Sequence, residues 1–265
     1  MLKRVIAGAV GLPILAVFVI LGGVWLQVAL AAIVLVGMWE FYRAFGSIRP
    51  VHFLGFAFAI LHIIHLGNAY FPMGMVLIFL PVLAMIFVVA RHKVMNIEDC
   101  TVTTFGFIYV ALTLGSIYLL RHEGGAFEVW LIFIAAWGCD TGAYFTGKTL
   151  GKRKLAPVLS PNKTVEGSVG GTMFATLLGV VYALVLYRMG ATVQNHMLLY
   201  AAITFVCSIF AQLGDLAASA IKRHKNIKDF GNIIPGHGGV LDRFDSIIFA
   251  APAALAILTI WGGGA

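Results

Sequence analysis

Apolar runs of about 17 to 25 residues, each long enough to cross a bilayer, recur from one end of this chain to the other with short polar breaks. No other feature limits the fold as tightly. In hydrocarbon every backbone N–H and C=O must find its partner inside the protein, which leaves helices or a closed barrel. Runs of this length belong to helices. Hydrophobic residues make up 61% of the 265 and charged residues 11%, against roughly 25% charged in soluble domains. An all-α polytopic integral membrane protein is expected, with about nine transmembrane helices at 5–20, 24–42, 52–68, 73–90, 102–120, 127–147, 167–187, 197–221 and 244–261. The opening 20 residues imitate a secretory signal peptide, and Ala29–Ala32 imitates a cleavage site. Eight spans follow, so the first run reads as a retained signal-anchor helix.

Basic residues test this map. With the N-terminus inside, all of the 18 Lys and Arg except Arg121 and Arg188 fall on the cytoplasmic side. That asymmetry satisfies the positive-inside rule and implies an odd number of spans with an external C-terminus. The net charge of +7 therefore gathers on one face, where it can set topology, hold anionic lipid headgroups or attract a polyanionic substrate. Cys100, Cys139 and Cys207 lie in or at the ends of spans, with the spacing of neither a disulfide framework nor a zinc site.

The first half of the chain, 1–126, reads as five spans serving mainly as scaffold and lipid access. Glu40 and Arg43 are spaced for an ion pair on a helix surface, and His62 and His65 share a helix face without a third ligand nearby. The second half, 127–265, concentrates polarity in two cytoplasmic loops, 148–166 and 222–243. Each follows a span bearing an acid, Asp140 in one and Asp215 in the other. An ionised carboxylate in hydrocarbon is costly, so both are functional candidates facing a polar cavity.

The stretch GAYFTGKT, Gly142–Thr149, fits the phosphate-binding pattern G-x-x-x-x-G-K-[ST]. A working P-loop follows a strand and opens a helix. Here the pattern continues an apolar helical span and carries Tyr144 and Phe145, so it is set aside.

The segment Ser219–Asp245, SAIKRHKNIKDFGNIIPGHGGVLDRFD, is more informative. Helical spacing aligns Asp215, Ser219 and Lys222 on one face of the eighth span. Lys228 and Asp229 follow, then the glycines of PGHGG, which let backbone N–H groups approach a ligand, and then Asp242 and Asp245. Oxygen ligands without Cys or clustered His suit Mg²⁺, with a second cation allowed. Surrounding Lys and Arg would compensate phosphate charge, which describes phosphoryl or nucleotidyl transfer at a membrane surface. For Asp242 alone, a helix N-cap is the competing role.

Ser219, Lys222, Arg223, Lys228, Asp229, Gly231, Pro235, His237, Gly238, Gly239, Asp242, Arg243 and Asp245 together resemble the signature of phosphatidate cytidylyltransferases, the CDP-diacylglycerol synthases. CDTGAYFTGK and SPNKTVEG upstream, Cys139–Lys148 and Ser160–Gly167, are similar to that family as well. The resemblance implies Mg²⁺-dependent conversion of CTP and phosphatidate to CDP-diacylglycerol and pyrophosphate, in phospholipid biosynthesis at the cell inner membrane with the active site facing the cytoplasm. Asp215, Asp242 and Asp245 would hold metal. Asp140, Lys222, Arg223, Asp229 and Arg243 would serve catalysis, and Lys163, Glu166, Ser219, Lys228, His237, Gly238 and Gly239 would bind substrate. The expected partners are CTP, phosphatidate and the bilayer, with a homodimer left open and no nucleic acid. A lipid or polyprenol kinase, a cytidylyltransferase for another lipid phosphate and an ion-coupled transporter are the competing readings.

Overall fold

Ten helices and one short hairpin account for nearly all of the computed structural model, which describes residues 2–68, 70–191, 196–234, 236 and 238–262. The order is α1 (Leu2–Leu21), α2 (Gly23–Ala44), α3 (His52–Ile64), α4 (Met73–Ala90), α5 (Ile97–Gly106), a π-helical turn (Phe107–Leu112), α6 (Thr113–Glu123), α7 (Val129–Leu150), β1 (Lys154–Ala156), β2 (Ser160–Thr164), α8 (Val165–Arg188), α9 (His196–His224) and α10 (Leu241–Gly262). Among the described residues, seven helical stretches are long and apolar enough to cross a membrane: α2, α4, the run from α5 through α6, α7, α8, α9 and α10. This is an all-α polytopic membrane architecture with an added two-stranded antiparallel hairpin, β1 against β2, inside the loop expected at 148–166. Of the two remaining expected spans, one falls on α1, a 20-residue helix containing Pro13. The other falls on α3, whose 13 residues rise about 20 Å, short of the roughly 30 Å of hydrocarbon.

Packing divides the chain into two compact units. The first holds the residues up to His122 together with Lys225–Arg243; the second holds Glu123–His224 and the chain from Phe244 onward. The Lys225–Arg243 segment, expected with the carboxyl-terminal helices, thus packs within the amino-terminal unit.

In the first unit Tyr42 of α2 is fully buried and donates through its hydroxyl to the Thr103 carbonyl at 3.1 Å. Gly55 and Gly106 make room for that ring: a Cβ at either would lie 2.2 and 2.5 Å from it. The start of α5 carries a capping box in which Asn96 and Asp99 satisfy each other's backbone N–H groups. The Arg121 guanidinium donates to the carbonyls of Val19 and Ile20 at the end of α1, where a cation complements the helix dipole.

In the second unit α7 and α8 meet along small residues. A Cβ on Gly142 would lie 2.6 Å from the Cβ of Phe174, and one on Gly171 would lie 2.5 Å from the Cys139 carbonyl. Close approach of this kind is how helices associate where lipid removes the hydrophobic drive. It also explains the nucleotide-binding look-alike. Gly142–Thr149 lies wholly inside α7, and within it the Thr149 hydroxyl donates to the Phe145 carbonyl at 2.9 Å. No loop is present there to cradle a phosphate. The glycines serve helix packing. At the far end of α7, Glu128 accepts from the Tyr200 hydroxyl of α9 at 2.7 Å. The three cysteines are free and buried.

Candidate active site

In the second unit, a cleft of about 430 Å³ opens between the end of α7, the hairpin, the start of α8 and the middle of α9. Asp140, Tyr144 and Lys148 reach it from α7, Lys163 from β2, Ser168 from α8 and Gln212 from α9. The hairpin positions Lys163 because its two ends are fastened. Thr164 caps α8 by accepting from the Gly167 N–H at 3.1 Å. The Glu166 carboxylate accepts from the N–H groups of Lys152 and Arg153, at 3.0 and 3.2 Å through one oxygen. Glu166, expected at the substrate, thus faces backbone and ties the end of α7 to the start of α8.

Lys163 forms an ion pair with Asp215 of α9. Seven residues further along the same helix, the Lys222 ammonium lies 4.0 Å from the Asp245 carboxylate of α10. The spacing of Asp215 and Lys222 on one face of α9 is therefore realised, each facing an opposite charge. The two carboxylates are carried on helices that nearly touch: a Cβ on Gly214 would lie 2.6 Å from the Asp245 carbonyl oxygen. Ser219 lies between them, half-buried. Gln212, one turn before Asp215, donates to the Thr172 hydroxyl at 3.0 Å. Lys148 passes its ammonium over the Tyr144 ring, 5.8 Å from the centroid.

The first unit organises the loop that follows α9. Lys228 and Asp229 are exposed, Phe230 is buried, and the backbone turns back on itself where the Ile234 N–H donates to the Gly238 carbonyl at 2.9 Å. Gly238 has φ +83, a left-handed conformation open to glycine and strained for a side chain. Asp242, buried in the first turn of α10, accepts from the Phe230 and Gly239 N–H groups at 2.8 and 3.0 Å through one oxygen. One side of its carboxylate thereby closes the loop as a helix cap does. Arg223 and Arg243 are exposed. His237 lies outside the described residues.

The loop is also gripped by Glu40. Its carboxylate, fully buried in α2, accepts from the Val240 and Leu241 N–H groups at 3.0 and 2.8 Å. The expected surface ion pair with Arg43 is not what α2 makes. Arg43 lies over the Trp39 ring, 4.6 Å from its centroid, and Glu40 turns inward because the orphan N–H groups at the start of α10 need acceptors.

Among the described residues, no three His, Cys, Asp or Glu side chains converge to form a metal site by themselves. Asp215 of α9 and Asp245 of α10, carried on helices that cross closely at Gly214, offer oxygen donors alone. Mg²⁺ ordinarily takes one or two carboxylates and completes its shell with water and substrate phosphate, so this donor set fits that ion.

Gln212 has no role in the sequence reading, and Glu40 and Lys148 have there only those of a helix-surface ion pair and of a discarded pattern. Gln212 shares a helix face with Asp215, three residues away, and Glu40 is an acid within a span; both signals were available.

The chain is similar to known proteins along most of its length. The sequence profile described as the cytidylyltransferase family matches residues 2–261. A protein of Staphylococcus aureus (strain COL) named phosphatidate cytidylyltransferase is 36% identical over 260 residues, 95% of each chain. One of the same name from Bacillus subtilis (strain 168) is 38% identical over 186 residues, 69% of this chain and 67% of its own.

Proposed function

Because the chain belongs to the cytidylyltransferase family, we propose that it is a phosphatidate cytidylyltransferase, joining CTP and phosphatidate into CDP-diacylglycerol with release of pyrophosphate. The observation that carries this reading is the cleft among membrane-spanning helices lined by Asp140, Lys148, Lys163 and Gln212, whose Lys163 pairs with Asp215. Both substrates are polyanions, and one of them resides in lipid. Cations placed at the ends of spans meet both requirements.

A phosphate oxygen of phosphatidate attacks the α-phosphorus of CTP. A new P–O bond forms, the bond to the bridging oxygen of the β-phosphate breaks, and pyrophosphate leaves with that electron pair. No protein nucleophile takes part, so the protein's work is to position the reactants and compensate charge. Lys163 and Lys222 neutralise phosphate oxygens, each held in place by its carboxylate partner. Exposed Arg223, Lys228 and Arg243 draw in the triphosphate, and the Gly238–Gly239 backbone, with His237 beside it in the chain, shapes the nucleotide loop. Asp140 and Asp229 are further candidates to hold the cation that the phosphates need. Asp215 and Asp245 would hold Mg²⁺, with Asp242 three residues upstream on the same helix as a further ligand. The ion would supply compensation of charge on the transferred phosphate and the departing pyrophosphate.

The finer topology belongs to the same proposal. With α1 and α3 counted as spans there are nine, the N-terminus is cytoplasmic, and the site faces the cytoplasm from the inner membrane.

CTP labelled in turn at the α- and γ-phosphate, incubated with phosphatidate, Mg²⁺ and the purified protein, tests the reaction. The α label is expected in chloroform-soluble product and the γ label in pyrophosphate. Appearance of γ label in lipid would show phosphoryl transfer instead and overturn the reading.

A further inference from the structure

A second concavity adjoins the polar cleft. It has a volume of about 410 Å³ and runs between α8 and α9, walled by Val169, Met173, Phe205, Ile209, Leu213 and Leu216. Leu155, Ser168 and Gln212 line both spaces, so the polar cleft passes directly into the apolar groove. Most of the groove wall is open to the surroundings: Met173 is 67% exposed, Val169 57% and Phe205 48%. These side chains lie in helices long and apolar enough to span a membrane, which places the groove against hydrocarbon.

We infer that the groove is the acyl-chain subsite of the lipid substrate and sets its chain-length selectivity. The inference rests on the phosphatidate reading and extends it. Phosphatidate is an amphiphile whose phosphate and chains are joined through a short glycerol. A site for it must present cationic and hydrogen-bonding groups at one end and an apolar channel reaching lipid at the other, with a polar junction at the glycerol. The second unit has that sequence of surfaces: Lys163 in the cleft, Ser168 and Gln212 at the junction, then the α8–α9 groove. Bulk lipid covers the rest of the helix surface, but this groove shares Leu155, Ser168 and Gln212 with the cleft that Lys163 lines. A chain lying there contributes binding in proportion to the methylenes it seats.

Met173→Trp and Ile209→Trp, each narrowing the groove from an exposed position, and Met173→Ala, widening it, are assayed in mixed micelles with dioctanoyl and dioleoyl phosphatidate at equal surface concentration. The Trp variants are expected to lower kcat/KM for the dioleoyl substrate roughly tenfold or more relative to the dioctanoyl one, with KM for CTP unchanged. Met173→Ala is expected to shift selectivity toward the longer chains. Equal losses on both lipids, or unchanged selectivity in all three folded variants, would overturn the inference. Failure of the parent protein to convert either lipid would instead count against the proposed reaction, so the two outcomes are distinct.

Discussion

Glu40 and Leu241 stand 201 positions apart in the chain, and the carboxylate of the first accepts a 2.8 Å hydrogen bond from the backbone N–H of the second. Val240 donates to the other oxygen at 3.0 Å. The glycines around this acid leave it the space it needs: a Cβ on Gly231 or Gly239 would lie 2.2 or 2.5 Å from its oxygens. Replacing Glu40 by Ala strands the buried Leu241 N–H, at a cost of about 1 to 3 kcal/mol, and the part-buried Val240 N–H, which costs less. Glu40→Ala is expected to lower the thermal midpoint in detergent and to loosen the loop, while Glu40→Gln, which keeps one acceptor, falls between it and the parent. A midpoint unchanged in Glu40→Ala would mean that the loop is held by Asp242 alone.

Glu40 also shows why part of the site was not legible in the sequence. Asp140 and Asp215 stood out because an acid inside a span demands a partner, and the same argument applied to Glu40. A basic residue three positions away offered a local partner, and helix spacing says nothing about a partner two hundred residues on. The α9 face of Asp215 and Lys222 could be read because both residues sit on one helix with a fixed period; their counter-charges Lys163 and Asp245 come from other elements, which periodicity does not reach. Spans such as Met73–Ala90 appear as expected, since length and hydropathy alone decide them. The hairpin at Lys154–Thr164 is not legible in the sequence, because its strands of three and five residues are too short for an alternating pattern to show.

The glycines of α7 and α8 carry a prediction of their own. If they exist for helix contact rather than for nucleotide, Gly142→Leu should impair folding through its clash with Phe174, where a Cβ already lies at 2.6 Å. Lys148→Ala, by contrast, removes an exposed side chain beside Tyr144 and should leave the protein folded with activity reduced by less than about tenfold. Size-exclusion profiles and turnover of the two variants check this. A folded Gly142→Leu protein that had lost CTP binding would restore the phosphate-loop reading.

Topology can be checked through the basic loops. Reporter fusions after residues 95, 160 and 230 should report a cytoplasmic location, and a fusion at the C-terminus an external one. A cytoplasmic C-terminus together with cytoplasmic signals at 160 and 230 would mean that α10 does not cross and that the number of spans is even, whereas an external N-terminus with a cytoplasmic signal at 95 would leave α1 or α3 in the interface instead of crossing.

The paired charges give the most discriminating prediction. Asp215 and Asp245 each face a lysine, so each carboxylate either binds Mg²⁺ itself or serves only to hold its lysine. The Lys163–Asp215 pair is partly exposed and contributes little to stability, so Asp215→Asn should remain folded; the Lys222–Asp245 pair is largely buried, and Asp245→Asn, which keeps the shape and a hydrogen-bonding group, should fold with a lowered thermal midpoint. Loss of transition-state charge compensation should still lower turnover by at least about 10². The two roles separate in a Mg²⁺ titration. Where the carboxylate is a ligand, the Mg²⁺ concentration giving half-maximal rate should rise in the Asn variant, and Lys163→Ala should leave that concentration near the parent value while raising KM for a phosphate-bearing substrate. A Mg²⁺ midpoint unchanged in both Asn variants, with turnover lost, would assign the carboxylates to lysine positioning and remove Asp215 and Asp245 from the proposed metal site.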